Sequence, residues 1–222
     1  MTSILLRYRR AHLVLAGVVV LSVLGMAVSG RVIDLHLNPN YGPVSLPLAD
    51  ACGIVCAILA ATALRPRFWE WERTAGGPRT AIPAATAALA GIACAPLVIA
   101  LSTLTLELHP SVEQYDITSV GELLAVSTLN TTFIAALVFT LSPLAGPTIA
   151  GATGLLLWLG TAALNSLEPA TRHYTPTSGL RFPLPDTWPH YPLVATLLLT
   201  ALAVTVHAHT RGSTAFAHRR SQ

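Results

Sequence analysis

Two carboxylates stand inside apolar stretches of the chain, where they could hold an ion or a proton. Asp50 opens a run of small and aliphatic residues, and Glu122 lies in the stretch VGELLAVSTLNTTF. A charged side chain at the centre of a bilayer costs about 2.5 to 3.5 kcal/mol on insertion scales, so Glu122 should face a helix bundle or a partner. Asn130 adds an amide two turns further on. We predict that Glu122 and Asn130 are interhelical polar contacts or line a polar path, and that Asp50 is an acid at the headgroup level, with a place on the polar path as its alternative.

Other reactive residue types lack the spacing that chemistry requires. Cys52 and Cys56 share one helical face, but the chain has no Cys-x-x-Cys motif, so its cysteines are predicted to pack as small hydrophobes. His207 and His209 are two positions apart and do not share a helical face. The chain contains no lysine, which excludes Schiff-base catalysis and the phosphate contact of a P-loop. We predict no catalytic site, no metal and no cofactor, and therefore a protein that is not an enzyme.

The composition is that of an integral membrane protein. Hydrophobic residues make up 53% of the 222 residues and charged residues 10%, and the mean hydropathy is +0.61. The net charge of +3 comes from arginines at the ends of apolar runs, which favours membrane orientation over nucleic-acid binding. The natural unit is one transmembrane domain over 1–222.

The elements that position these residues are apolar runs long enough to cross a bilayer, about 20 residues each. They predict an all-α, polytopic fold with six transmembrane helices. The runs are approximately 11–29, 47–64, 82–106, 117–141, 147–166 and 192–209. The segment 30–47 is rich in Pro, Asn and Gly and is predicted to be irregular.

The arginine distribution orients these six spans. With a cytoplasmic N-terminus, ten of the thirteen arginines fall on the inner side and three on the outer side. This excess predicts that both termini are cytoplasmic in a multi-pass protein of the plasma membrane. The alternative for residues 1–29 is a cleaved signal peptide ending in small residues. The long outer segment 165–191 carries Trp and Tyr towards its ends and is predicted to lie at the membrane interface.

The segment 65–80, RPRFWEWERTAGGPRT, interrupts the apolar pattern between the second and third spans. Its helix-forming and aromatic residues end at a Gly-Gly-Pro stop, which predicts one or two helical turns at the inner surface. The residues expected to couple to a partner are Phe68, Trp69, Glu70, Trp71, Glu72 and Arg73. The alternative is an aromatic belt whose charges only fix the topology.

The order of these elements resembles the permease subunits of ABC-2-type exporters, including small actinobacterial permeases. That family has an N-terminal amphipathic segment, six spans, a long outer segment before the last span and a first cytoplasmic loop of the form E-x-E-x-G-T. Glu70-Trp71-Glu72-Arg73-Thr74 with Gly76 is similar to this loop, although its Gly and Thr are in the opposite order.

The resemblance implies a transport subunit that works with other chains. The segment 65–80 would be the coupling helix that docks on a separate ATP-binding subunit, because this chain has no GxxxxGK motif. Six spans enclose little space, so a second permease copy or a related permease is expected as a further partner, in the lipid bilayer. The other classes considered are an accessory or assembly subunit without transport activity, an intramembrane enzyme and an ion-coupled transporter.

Overall fold

The computed structural model describes residues 10–66, 78–108, 120–175, 177 and 190–213, which are mostly helical. Such helices suit an apolar chain because each satisfies its own backbone hydrogen bonds without water. The elements in chain order are α1 (Ala11–Val28), β1 (Val32–Leu35), β2 (Val44–Pro47), α2 (Leu48–Ala63), α3 (Pro78–Leu108), α4 (Val120–Ala145), α5 (Pro147–Leu167), a 3-10 helix (Pro169–His173) and α6 (His190–Thr210).

Five of these helices, α1, α3, α4, α5 and α6, are long and apolar enough to cross a membrane. The sixth, α2, is apolar but has only 16 residues. The prediction of an all-α polytopic membrane protein is thus confirmed at the level of five candidate spans. The second predicted span corresponds to the shorter helix α2.

The turn between the fourth and fifth helices is shorter than the sequence pattern predicted. The fourth span was expected to end at 141, yet α4 continues through Pro143 to Ala145. Proline deprives the carbonyl of Phe139, four residues earlier, of its usual backbone donor. The Ser142 hydroxyl donates to that carbonyl at 3.3 Å and replaces the lost bond. Gly146, with φ of 90°, makes the turn alone, and α5 begins at Pro147.

The segment 30–47, predicted to be irregular, contains an antiparallel β-hairpin instead. Strand β1 pairs with β2 in the register Val32 to Pro47 and Leu35 to Val44. Alternation of apolar and polar residues explains the strand β2, because Val44 and Leu46 are both buried while Ser45 between them is half-buried. The Pro, Asn and Gly residues that suggested an irregular segment lie mostly in the connection between the strands.

Neighbouring helices run alternately up and down, which sorts the described residues to two ends of the bundle. A Cβ built at Gly25 of α1 would lie 3.8 Å from the Cβ of Cys52 in α2, and one at Gly17 would lie 3.9 Å from Leu59. This pairing makes α1 and α2 antiparallel. We call the end that carries the β-hairpin the hairpin end, and the end that carries Gly146 the turn end.

The hairpin end is fastened to α5 by Ser166, which is buried. Its hydroxyl donates to the carbonyl of Leu35 at 2.9 Å and accepts from the amide of Leu37 at 3.0 Å. The side chain of Asn38 adds a bond to the carbonyl of Leu167 at 3.0 Å. Residues far apart in sequence are therefore joined over the hairpin end.

Replacing Ser166 by alanine should loosen this attachment. A net hydrogen bond contributes about 1 kcal/mol, so the amide of Leu37 should exchange with solvent roughly fivefold faster. Hydrogen exchange followed by mass spectrometry measures this rate. The control is Ser45→Ala, which removes an exposed bond to Asp34 within the hairpin and leaves the Ser166 bonds in place. Equal exchange at Leu37 in both variants would contradict the assignment.

Candidate functional site

Asp50 lies in the first turn of α2, near the hairpin end, and is 1% exposed. Neither oxygen of its carboxylate has a partner within hydrogen-bond geometry among the described residues. The nearest interacting side chain is the hydroxyl of Ser127 on α4, which faces the carboxylate without meeting that geometry. A buried polar group without a hydrogen bond is destabilising, so this position calls for a functional explanation.

Small polar residues from three further helices are buried near the hairpin half of the bundle. A Cβ at Gly53, one turn after Asp50, would lie 3.3 Å from the methyl of Thr131 on α4 and 3.2 Å from the carbonyl of Ala95 on α3. This places α2 close to both helices. The buried polar residues of this region are Ser22 on α1, Ser102 and Thr103 on α3, and Ser127, Asn130 and Thr131 on α4.

Most of these hydroxyls bond to their own helices. Ser102 donates to the carbonyl of Val98 at 2.7 Å, Thr103 to that of Ile99 at 3.0 Å and Thr131 to that of Ser127 at 2.7 Å. The hydroxyl oxygens of Thr103 and Thr131 can also accept from a further donor, since a hydroxyl has two lone pairs. The region therefore offers acceptors to a proton or a hydrogen-bond donor. Among the described residues, Asp50 carries the only buried carboxylate.

A small cleft lies at the hairpin end beside Ala49, the chain neighbour of Asp50. It encloses about 10 Å³, and its wall also includes Arg31, Thr103 and Ser127. Ser127 thus belongs to the wall of the cleft and also faces the carboxylate. The arrangement connects a buried acid with the end of the bundle through one hydroxyl.

A second cleft lies at the turn end. Arg65, Ser142, Pro147 and His207 line it, together with Gly212, which follows the end of α6. The His207 ring packs on Phe139 with ring centroids 5.6 Å apart, and its Nδ1 lies 3.0 Å from the carbonyl of Ala203 in the same helix. The contact with Phe139 packs α6 against α4. Helix α2 ends and helix α3 begins at the same end of the bundle as this cleft.

The predicted site residues fall into three groups. Asp50 and Asn130 are both buried at 1% exposure, and their role as interhelical or pathway residues stays a prediction. Glu122, expected at depth, instead lies exposed in the first turn of α4 and apart from Asp50. The coupling residues lie in 67–77, outside the described residues: Phe68, Trp69, Glu70, Trp71, Glu72 and Arg73.

Sequence reasoning missed Ser127, Thr103 and Arg31 as neighbours of the buried acid. Serine and threonine are common in membrane helices and commonly bond to their own backbone, so neither residue is distinctive alone. The sequence could have predicted Ser127 from its distance to the start of its span. If the second and fourth spans run in the same direction, Ser127 lies at a similar depth to Asp50. Arg31 was assigned only to orientation.

The helices and their composition define the class: a multi-pass, α-helical membrane protein. Comparison of the chain with protein-family models, with curated proteins and with solved structures finds no match.

Proposed function

We propose that the protein is the membrane-spanning permease subunit of an ATP-driven, ABC-2-like exporter, with six spans and both termini cytoplasmic in the plasma membrane. The observation that carries this proposal is the arrangement of the turn end. The end of α2 and the start of α3 lie at the same end of the bundle as Gly146 and the end of α6. The described chain thus leaves α2 and enters α3 at the end that bears Arg10, Arg65 and Arg211.

Positive charge in short loops is retained in the cytosol, where an ATP-binding subunit would be found. In this proposal Glu70, Glu72 and Arg73 supply charged contacts, and Trp69 and Trp71 supply apolar area to that subunit. ATP-driven closure of the partner would pull on α2 and α3 together, because both helices begin or end at this segment.

The packed interior supports a function in a dimer or with a related permease. Ile134, Val138 and Phe139 of α4 are at most 1% exposed, and the two clefts enclose only about 10 Å³ each. A substrate path of larger cross-section would be formed between two such subunits.

The test is co-purification of the partner from native membranes. We expect the full-length protein to bring down a chain that carries a P-loop motif, identified by mass spectrometry, and ATPase activity. Replacing Glu70, Glu72 and Arg73 together with alanine should reduce the recovered ATPase at least tenfold, which corresponds to about 1.4 kcal/mol of lost binding.

The matched control changes charges at the hairpin end instead. The double variant Glu168→Ala and Arg172→Ala alters an exposed acid and a half-buried arginine next to the 3-10 helix. It should leave ATPase recovery unchanged. Recovery of no ATPase with the unmodified protein, or full recovery with the triple variant, would contradict the exporter proposal.

The same packed interior favours a second candidate, an accessory or assembly subunit that binds its partner through 67–77 without carrying substrate. The two candidates differ in one result. Transport by the assembled complex in vesicles is lost without this chain if it is a permease, and it continues if the chain is accessory.

A further inference from the structure

We propose that Asp50 is a proton-binding site of the membrane bundle, and that it exchanges its proton through the cleft at the hairpin end lined by Arg31, Thr103 and Ser127. The proposal goes beyond the exporter assignment and does not depend on an ATP-binding partner. It concerns a carboxyl group that is 1% exposed and whose two oxygens have no hydrogen-bond partner in the part of the chain that the structure describes.

Among the described residues, the carboxylate of Asp50 lacks the hydrogen bonds that would compensate for its negative charge. A structural carboxylate in a bundle is ordinarily paired with a cation or held by several donors. Within the described residues no donor satisfies Asp50, and a lone buried carboxylate is far more costly than a neutral carboxylic acid. A neutral Asp50 carries one hydrogen-bond donor of its own, and the Ser127 hydroxyl beside it can accept from the acid or donate to the carboxylate.

Two features of the hairpin end also stabilise the ionised form of Asp50. Asp50 lies in the first turn of α2, where the helix presents the positive end of its dipole. The amide of Leu48, at the first position of α2, is already taken by the carbonyl of Arg31 at 3.0 Å. The side chain of Arg31 is exposed and lines the cleft, so it offers positive charge at the cleft mouth. Both protonation states are therefore accessible without unfolding the bundle.

The Ser127 hydroxyl offers a route for a proton between the cleft and Asp50. Ser127 faces the carboxylate and also lines the cleft, so its hydroxyl can accept a proton from one side and donate one to the other. Thr103 adds a second hydroxyl to the same wall. A proton then needs to pass one side chain between the cleft and Asp50.

Among the side chains that the structure describes, no other titratable group on the elements packed against α2 replaces Asp50 in this role. Glu122 is exposed at the hairpin end, and His12 is exposed at the turn end. The remaining titratable or charged side chains described on these elements and on α2 are Arg31, Asp34, His36, Tyr41, Cys52, Cys56 and Cys94. Asp34 accepts a bond from Ser45 at 2.6 Å and is exposed.

The experiment is labelling of the full-length protein in lipid nanodiscs with dicyclohexylcarbodiimide, an apolar reagent that reacts with protonated carboxyl groups. Mass spectrometry locates and quantifies the adduct over a series of pH values. We expect the adduct on Asp50, with a rate that is constant at low pH and falls tenfold per pH unit above a midpoint. Asp50→Asn should remove this adduct entirely.

Two further variants keep the test informative if Asp50→Asn does not fold. Ser127→Ala retains the carboxyl but breaks the route, so labelling at Asp50 should lose its response to a rapid pH change or respond at least tenfold more slowly. Glu122→Gln is the matched control, since it removes an exposed carboxyl near the same end and should leave the Asp50 profile unchanged.

Three results would overturn the proposal. The folded protein could show no adduct at Asp50 at any pH, which would mean a permanently ionised group. The adduct could form at a rate independent of pH, which would mean a permanently neutral packing residue. Labelling could also respond to pH equally fast in the Ser127→Ala variant, which would remove the cleft as the route.

Discussion

Replacing Gly91 by leucine is expected to lower the free energy of unfolding of the bundle by about 1 to 3 kcal/mol, the usual cost of overpacking a filled core. A Cβ built at Gly91 would lie 2.1 Å from Cζ of Phe139 and 2.7 Å from its Cε1, so even one added carbon overlaps the ring. The ring cannot turn aside freely, because Phe139 is 1% exposed and packs against His207. The contact joins α3, α4 and α6.

Thermal unfolding of detergent-solubilised protein, followed by size-exclusion chromatography, measures this loss. Gly160→Leu on α5 is the control, because a Cβ at Gly160 meets no atom within 4 Å and the position is exposed. The double variant Gly91→Leu with Phe139→Ala should recover part of the lost stability, since it removes the overlapping ring. Equal unfolding temperatures for Gly91→Leu and Gly160→Leu would contradict the packing described here.

Replacing Asn165 by leucine is expected to release the 3-10 helix from the hairpin end and to cost about 1 to 3 kcal/mol. Asn165 is fully buried, and its Oδ1 accepts from the hydroxyl of Thr171 at 2.7 Å. Its amide lies 3.4 Å from the hydroxyl of Thr175, which is also buried. Leucine offers neither acceptor nor donor, so these hydroxyls would lose their buried partner. Thr171 keeps its bond to the carbonyl of Glu168 at 2.7 Å, which limits the loss.

Limited proteolysis and hydrogen exchange across 168–175 report the release of this segment. Asn38→Ala is the comparison variant, because it removes an exposed bond to Leu167 at the same end and should have a smaller effect. Protection of 168–175 that is unchanged in Asn165→Leu would show that the segment is held by other contacts.

Apolar length predicted the helices well because the bilayer imposes it. The ends of α1 and α5 agree with the predicted runs 11–29 and 147–166 to within one residue. The hairpin was missed because two strands of four residues give little alternation against a background rich in Pro and Asn. The extension of α4 past Pro143 was missed because proline usually ends a helix. The bond from the Ser142 hydroxyl to the Phe139 carbonyl, which compensates for the proline here, cannot be inferred from the residue types alone.

Hydropathy could not predict that Asp50 is buried and Glu122 exposed. Asp50 and Glu122 each lie within the first turn of an apolar helix, so the sequence places them at similar depth. What separates them is the face on which each projects: Asp50 points into the interface of α2 with α4, and Glu122 away from it. A helical face is identified only when its neighbours are known, and those are set by the packing of Gly53 against α3 and α4.

The shortness of α2 has a consequence for the surrounding lipid. Sixteen residues span about 24 Å, some 6 Å less than a typical hydrocarbon layer. Such hydrophobic mismatch is relieved by thinning of the nearby leaflet or by protein that replaces the missing acyl-chain contacts. In the proposed six-span topology the second way would apply at the hairpin end, because β2 leads directly into α2 and its Val44 and Leu46 are buried.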